Sequence, residues 1–218
     1  MNKHSKVGLF ILTIASFLGT LIVIPKLPAK IPMHWNINWE VDRYDSKYIL
    51  LLTATLPFII CISHRLIPRI DPKKENYKLH SKAYDITMIS AIVLLIVMNW
   101  LSIGVALEVN VNLQTIIPIL LGILFVIIGN YMPTIKSNYT FGIKNPWTLS
   151  DEWIWKKTHR VGGYVFILLG VLFFAMAFVH YGIYYYIALF LLFVGIVGIN
   201  VYSYLLFKKH GNRPDSKV

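Results

Sequence analysis

Six stretches of this sequence are apolar over enough consecutive positions to cross the hydrocarbon core of a membrane as helices. They fall at residues 7–24, 48–67, 85–107, 113–132, 161–180 and 183–207. The first stretch is long for a signal peptide and lacks a small-residue cleavage site, so we interpret it as a retained helix. A mean hydropathy of +0.61 excludes an ordinary soluble domain. The sequence therefore predicts an all-α, polytopic membrane protein with six transmembrane helices.

The lysines and arginines are distributed unevenly between the connections that join these stretches. Seventeen of the 21 lie near the two termini or in and beside the second and fourth connections, residues 68–84 and 133–160. The other four lie in the first connection, residues 25–47: Lys26, Lys30, Arg43 and Lys47. Since basic residues are retained on the cytoplasmic side, we predict that both termini are cytoplasmic (N-in/C-in). The first connection is then an outer loop, and nucleic-acid binding is not needed to explain the net charge of +11.

We divide the chain into two regions. Residues 1–67 hold the first two helices and the outer loop 25–47, and residues 68–218 form a four-helix region with loop 133–160. In the second region small residues recur every seven positions at Gly122 and Gly129, and at Gly163, Gly170 and Ala177. Small residues let helices approach closely where lipid supplies no hydrophobic drive, so we predict helix–helix contacts at these positions.

The outer loop is rich in side chains that form hydrogen bonds and aromatic contacts. One interpretation is a receptor surface for an extracellular ligand. The other is an interfacial loop whose tryptophan and tyrosines lie at headgroup level. A zinc site built from His34 with Asp42 or Asp45 is disfavoured, because the usual ligand spacing is absent. The candidate ligand-binding residues are His34, Trp35, Asn36, Asp42, Tyr44 and Asp45.

Loop 133–160 is polar and aromatic, and it is not suited to span lipid. We predict that Ser150 caps a short helix over residues 151–160, with Glu152 and Lys156 as partners one turn apart. This helix would present Trp155 and His159 from one face and lie along the inner leaflet. Two interpretations remain open: an interfacial anchor that orients the fifth span, or a specific binding or gating element.

The sequence offers little support for catalysis or ion-coupled transport. Away from their ends the spans contain no Lys or Arg, and no carboxylate lies near the membrane centre, which disfavours a proton- or ion-coupled transporter. No nucleophile–base pair, P-loop or dinucleotide fingerprint appears, so we expect no enzyme activity and no cofactor. An intramembrane hydrolase would need His34 or His159 to work with a carboxylate. The single cysteine, Cys61, provides neither an intramolecular disulfide nor a cysteine-based metal cluster.

The most specific pattern runs from the end of the fourth span through the fourth connection. It reads Gly129-Asn130, then Asn138, Gly142-Ile143-Lys144, Pro146-Trp147-Thr148-Leu149, Trp155 and His159-Arg160. In this pattern the chain resembles the SdpI family of bacterial membrane proteins, with Lys144 where many members have arginine and Asn145 where many have threonine. The outer loop resembles an element of a small domain that often precedes the family region. In that element, Trp39 or Glu40 stands where glycine is usual.

The resemblance implies a role in immunity. The best-known members are multi-pass proteins of the bacterial cell membrane that protect a toxin-producing bacterium from its own secreted peptide, and they also act as toxin receptors that hold a small repressor at the membrane. Many other members have no assigned toxin. We therefore expect a non-enzymatic immunity and signalling protein. Its expected partners are a secreted peptide toxin, an ArsR-like repressor and membrane lipids. The alternative is a transporter or lipid-handling protein. The resemblance points to these signature-loop residues: Asn130, Asn138, Gly142, Lys144, Pro146, Trp147, Thr148, Trp155, His159 and Arg160.

Overall fold

A computed structural model describes residues 3–179 and 182–210 of the chain. Within these residues the elements follow one another as α1 (Lys3–Val23), a 3₁₀ turn (Ile24–Lys26), β1 (Lys30–Trp35), β2 (Val41–Ser46), α2 (Ile49–Ile70), α3 (Asn76–Leu79), α4 (Ser81–Ala106), α5 (Leu113–Tyr131), a second 3₁₀ turn (Met132–Thr134), α6 (Pro146–Ser150), α7 (Glu152–Met176) and α8 (Gly182–His210).

The described part of the chain holds six helical segments long and apolar enough to cross a membrane. This confirms the prediction of an all-α, polytopic membrane protein. The strands lie at one end of the bundle, the hairpin end, and the connections α2–α4 and α5–α7 meet at the other, the signature end. Which end faces the cytoplasm stays a prediction. The segments are Val7–Lys26, Ile49–Ile70, Ser81–Ala106, Leu113–Thr134, Glu152–Met176 and Gly182–His210.

Helices α5 and α7 approach each other closely through four glycines. A methyl group on Gly122 would lie 2.8 Å from the carbonyl oxygen of Gly170, and one on Gly170 would lie 2.7 Å from that of Gly122. Gly129 and Gly163 repeat this reciprocal contact one heptad away, at 2.7 and 2.8 Å. Side chains larger than hydrogen would therefore force the two helices apart. The predicted helix–helix contact is confirmed at these glycines.

Helices α1, α2 and α4 are joined by hydrogen bonds within the membrane region. The Asn99 amide of α4 donates to Thr20 Oγ1 of α1 at 2.9 Å, and its carbonyl oxygen accepts from Thr53 Oγ1 of α2 at 2.8 Å. Polar side chains of this kind join helices in a bilayer, where water does not compete for their partners. These bonds cross the division drawn between residues 67 and 68, and that division stays a prediction.

The first connection folds into a β-hairpin, which the sequence analysis did not anticipate. Strands β1 and β2 pair antiparallel from Lys30 opposite Ser46 to Trp35 opposite Val41, with irregular register on either side of His34. The hairpin is anchored by Ile31, which is fully buried against Leu50 and other residues of α2 and α4. Two short strands with shifted register show too little alternation to be recognised as a sheet.

The turn of the hairpin needs a left-handed backbone at Trp39, where φ is +65°. Glycine adopts this conformation at little cost, and most other residues do not. Trp39 stands near the position where the resembled domain usually has glycine. The ring of Trp39 packs edge-on against Tyr185 of α8, with ring centres 5.6 Å apart. This aromatic contact is favourable and is made by the residue that has the unfavourable backbone dihedral.

The prediction of a separate surface helix over residues 151–160 is wrong. Helix α7 begins at Glu152 and continues without interruption to Met176. Trp155, His159 and Gly163 are spaced one turn apart and all are buried, so the buried face of the span continues through the segment expected to form a surface helix. Ser150 is also not the cap: the side chain of Asp151 accepts from the amide of Ile154 at 2.8 Å, whereas Ser150 ends α6.

Candidate functional site

The predicted site residues are separated by the full length of the bundle. The outer-loop set lies at the hairpin end, and most of the signature set comes together at the signature end. We call the second group the signature module. It consists of segment 71–80, segment 132–151 and the first two turns of α7.

His159 ties the signature loop to α7. Its imidazole is fully buried, and its two ring nitrogens both contact backbone groups. Nε2 accepts a hydrogen bond from the amide of Ile143 at 3.0 Å, and Nδ1 donates to the carbonyl oxygen of Trp155 at 2.9 Å. These partners assign the proton to Nδ1 of a neutral ring. His159 therefore has no ring nitrogen left to act as the base of a hydrolase.

Gly142 is required where the loop passes over this histidine. Its φ of +113° lies in the region that favours glycine. A methyl group at this position would lie 2.5 Å from His159 Nε2 and displace the ring. Gly142 and His159, both part of the family pattern, therefore pack directly against each other.

Trp155 forms the floor of the module. Its indole is 2% exposed and stacks on His159 with ring centres 4.1 Å apart. Its Nε1 donates to the carbonyl oxygen of Ile135 at 2.8 Å. A buried indole N–H with a partner is well satisfied. Trp155 therefore fixes the start of the loop from inside the protein. The sequence had suggested that its ring would face the membrane interface.

Asn138 shapes the loop itself. The side chain is fully buried, and its Oδ1 accepts from the amides of Thr140 at 3.0 Å and Phe141 at 2.6 Å. Its Nδ2 donates to the carbonyl oxygens of Lys136 at 2.9 Å and Phe141 at 2.8 Å. An asparagine side chain used in this way replaces the backbone ladder that an irregular buried loop lacks.

Asp71 is the residue of this site that sequence reasoning missed. It follows α2, yet its Oδ2 accepts from the amide of Tyr139 and the hydroxyl of Thr140, both at 3.0 Å. The amide of Lys73 and the hydroxyl of Tyr77 complete the set at 2.8 and 3.2 Å. Burial alone would raise the pKa of Asp71, but these hydrogen bonds outweigh it and hold the pKa below the ordinary 3.8.

Two further groups of segment 71–80 are buried against the loop. The Tyr77 hydroxyl contacts Thr140 as well as Asp71, and burial raises the pKa of this tyrosine to about 12. His80 Nδ1 accepts from the amide of Lys136 at 3.2 Å, and burial lowers the pKa of its imidazole. Both side chains are therefore neutral at pH 7, and the module's interior carries the single buried charge of Asp71 among these groups.

Helix α6 attaches the module to α8. Pro146 occupies its first turn. The Asn145 side chain accepts from the backbone amide of Thr148, and the Thr148 hydroxyl accepts from the backbone amide of Asn145. This reciprocal capping box satisfies both helix-start donors. The side-chain Nδ2 of Asn145 donates to Asn200 Oδ1 at 3.0 Å and to Ser203 Oγ at 2.8 Å, both in α8.

The remaining signature residues lie nearer the surface. Trp147 is half-buried and packs on Tyr204 of α8, with ring centres 5.2 Å apart. Five members of the predicted signature set are exposed: Asn130, Gly142, Lys144, Pro146 and Arg160. The signature set is therefore divided: four side chains are buried, and the cations at 144 and 160 point to the surface as potential contacts.

At the hairpin end three of the six predicted residues, His34, Asp42 and Tyr44, are exposed, and the other three are half-buried. His34 Nδ1 and Asp42 Oδ1 lie 2.6 Å apart, with 59% and 41% of their side chains exposed. Arg43 and Asp45 form a second pair at 3.1 Å. Among the described residues, no group of three or more His, Cys, Asp or Glu side chains is arranged to hold a metal ion.

Three other residues of the predicted outer set have distinct positions. Asn36 closes the turn, because its Oδ1 accepts from the amides of Asn38 and Glu40 at 2.9 and 3.0 Å. Trp35 lines a shallow cavity of about 320 Å³ between the hairpin and the α4–α5 connection. Tyr44 is 57% exposed. The structure thus brings His34, Asp42 and Tyr44 to the outside of the hairpin and uses Asn36 to build it.

Comparison with known proteins agrees with the resemblance inferred from the motif. Residues 134–203 match the SdpI/YfhL protein family, and residues 11–60 match a domain of unknown function (DUF1648). Over 168 residues the sequence is 24% identical to the Immunity protein SdpI of Bacillus subtilis (strain 168), and this match covers 77% of this chain and 79% of that protein. No solved structure matches the chain. The family match begins at Thr134, within the signature module, and ends at Ser203, one of the two α8 residues that accept hydrogen bonds from the Asn145 side chain.

Proposed function

We propose that this chain, a multi-pass membrane protein that matches the SdpI/YfhL family model over residues 134–203, is an immunity protein that protects its cell from a secreted peptide toxin. The observation that carries the proposal is the match to an immunity protein over most of both chains. An enzymatic role gains no support from the signature histidine, because both of its ring nitrogens are engaged by the backbone.

The hairpin is the element that meets the toxin in this proposal. In the predicted orientation it faces the outside, where a secreted peptide arrives. Its strands are fixed to the bundle by Ile31 and Leu50, while His34, Asp42 and Tyr44 project outward. A rigid base with exposed polar and aromatic side chains is the arrangement that gives a binding surface specificity at low entropic cost.

The signature end has a different part in the proposal. Its buried residues maintain the bundle, and its exposed cations at 144, 156, 157 and 160 form a basic surface on the predicted cytoplasmic side. This surface is suited to an acidic patch of an ArsR-like repressor held at the membrane. Complementary charges at the exposed edge of a protein–protein interface govern the rate and the specificity of association.

Immunity is tested by expressing the full chain in a toxin-sensitive bacterium and exposing the cells to a panel of secreted bacterial peptide toxins. We expect survival above that of the empty vector for at least one peptide. No protection against any of them, with normal protein levels in the membrane, would contradict the proposal.

The site assignment is tested by exchanging residues 30–46 for the hairpin of a family relative with another toxin preference. We expect the preference to follow the hairpin. If it follows the transmembrane helices instead, the hairpin is not the toxin site, and immunity itself still stands.

Repressor docking is tested with Arg160→Ala, with Lys208→Ala as the matched loss of an exposed charge on another element. We expect Arg160→Ala to release the repressor from the membrane fraction without lowering protein level or survival. If both variants retain the repressor in the membrane fraction equally, this surface does not dock the repressor.

A further inference from the structure

A cavity at the signature end, outside both predicted site sets, is lined by four cations. It measures about 510 Å³ and lies between the end of α2, the start of α4 and the segment that joins them. Its lining includes Arg65, Arg69, Lys74 and Lys78, and all four residues are exposed; Lys78 is paired with Glu75. Asp85 is the one carboxylate among the described lining residues, so the lining is strongly positive.

The inner wall of the cavity is built from buried polar side chains. His64 Nε2 and Asp85 Oδ1 lie 2.7 Å apart with 6% and 13% of their side chains exposed. Tyr84 stacks on the His64 ring at 5.0 Å and is 3% exposed. Its hydroxyl has no hydrogen-bond partner among the described residues. A buried hydroxyl without a partner is costly. Because Tyr84 is one of the residues that line the cavity, a bound ligand oxygen would supply the missing partner.

The surroundings of the cavity identify the class of ligand. Ile62, Leu66 and Ile70 are exposed at 52%, 47% and 72% and follow one another along one face of α2 at intervals of four residues. Arg65 and Arg69 alternate with them along the helix and are themselves one turn apart. The cations therefore lie beside an apolar face at the point where α2 leaves the membrane region. A ligand that fits both has an anionic head and hydrocarbon chains.

We propose that this cavity binds the phosphate of an anionic phospholipid, with the acyl chains along the exposed face of α2. Arg65 and Arg69 neutralise the phosphate, and the Tyr84 hydroxyl donates to one of its oxygens. Basic pockets between transmembrane helices recognise lipid headgroups by this combination of charge and hydrogen bonding. The site is independent of the toxin-binding hairpin, which lies at the other end of the bundle.

The test measures binding to the delipidated full chain in detergent. We titrate phosphatidylglycerol and phosphatidylcholine with identical acyl chains, and separately inorganic phosphate, and follow the melting temperature. We expect phosphatidylglycerol to raise it and phosphatidylcholine to have little effect. Stabilisation by inorganic phosphate equal to that by phosphatidylglycerol would make this a free-anion site and overturn the lipid assignment.

Two variants locate the site. Arg65→Gln/Arg69→Gln should weaken phosphatidylglycerol binding by about tenfold or more. Lys208→Gln/Lys209→Gln removes the same charge from the exposed end of α8 and should leave binding within about twofold. Equal loss in both double variants would mean that general surface charge binds the lipid, and no loss in either would place the lipid elsewhere.

Tyr84→Phe separates binding from folding. It removes a hydroxyl that has no partner among the described residues, so the lipid-free melting temperature should stay the same or rise. Phosphatidylglycerol affinity should fall by about threefold to tenfold. An unchanged affinity with a normal melting temperature would remove Tyr84 from the site, and the proposal would fail if the arginine variant also bound normally.

Discussion

The two ends of this bundle use the same kinds of side chain for opposite purposes. At the hairpin end His34 pairs with Asp42 in water, whereas at the signature end His159 is fully buried between two backbone groups. Asn36 turns an exposed hairpin, and Asn138 holds together a buried loop. The comparison shows that the buried residues of the signature set maintain structure, while His34, Asp42 and Tyr44 of the less distinctive outer loop are exposed.

The largest expected difference between the ends concerns the two histidines. His159→Ala removes two buried hydrogen bonds and a stacked ring, and we expect the free energy of unfolding to fall by about 3–5 kcal/mol. His34→Ala should change it by about 0.5 kcal/mol or less. Denaturant unfolding in detergent measures both. Similar losses in the two variants would mean that His159 contributes no more to the free energy of unfolding than His34 does.

The carboxylates give the next contrast. Asp71→Asn replaces the carboxylate that accepts four hydrogen bonds by a neutral amide, whose NH₂ group cannot accept them. We expect the free energy of unfolding to fall by about 2–4 kcal/mol. Asp42→Asn disturbs only an exposed pair and should cost about 0–1 kcal/mol. The same unfolding assay compares them. A cost for Asp71→Asn no greater than that for Asp42→Asn would break the comparison.

The dependence of stability on pH follows from the pKa of Asp71. In the folded chain this pKa lies below 3.8, so the stabilisation is complete above the unfolded value and is lost as pH falls through the folded one. We expect the free energy of unfolding to decline between about pH 5 and pH 2. The decline should be smaller in Asp71→Asn. An equal decline in both proteins would assign the acid sensitivity to other groups.

A smaller effect is expected within the signature module itself. Trp147→Ala removes a half-buried ring from Tyr204 of α8 and should cost about 1–2 kcal/mol. Lys157→Ala removes an exposed cation near Trp153 and should cost about 0.5 kcal/mol. Protein level in the membrane and unfolding in detergent report on both. Equal effects would mean that α6 is not fixed to α8 through Trp147.

The smallest effect on stability is expected where the effect on function is largest. His34→Ala/Asp42→Ala should change the free energy of unfolding by about 0.5 kcal/mol. Under the proposed function the same double variant should lose protection against the toxin. Survival assays run beside unfolding separate the two properties. Full protection by the variant would remove this pair from the toxin surface.

Length and hydropathy were sufficient to predict the six membrane helices, because a helix in lipid satisfies its own backbone and needs only an apolar composition. The spacing of Gly122 and Gly129 was also informative, since small residues at a heptad interval place a bare strip of backbone on one face of a helix. These features are local in the sequence, and the sequence therefore revealed them.

What could not be predicted depends on contacts between distant segments. Asp71 accepts from Tyr139, and nothing near Asp71 indicates that partner. Trp155 and His159 were interpreted as an interfacial face, because an amphipathic pattern does not say whether its apolar side meets lipid or protein. The hairpin was missed because its register shifts beside His34 and disturbs the alternation of a regular strand.

The way the signature module is joined has a consequence for biogenesis. Its Asp71 is synthesised between α2 and α4, its loop between α5 and α7, and the partners of Asn145 only in α8. The bonds from Asn145 to α8 therefore cannot form until the final helix has entered the bilayer. A chain truncated before α8 would leave the side chain of Asn145 without these partners. Attachment of Asn145 to α8 thus marks the moment at which the newly made protein has all of its helices in place.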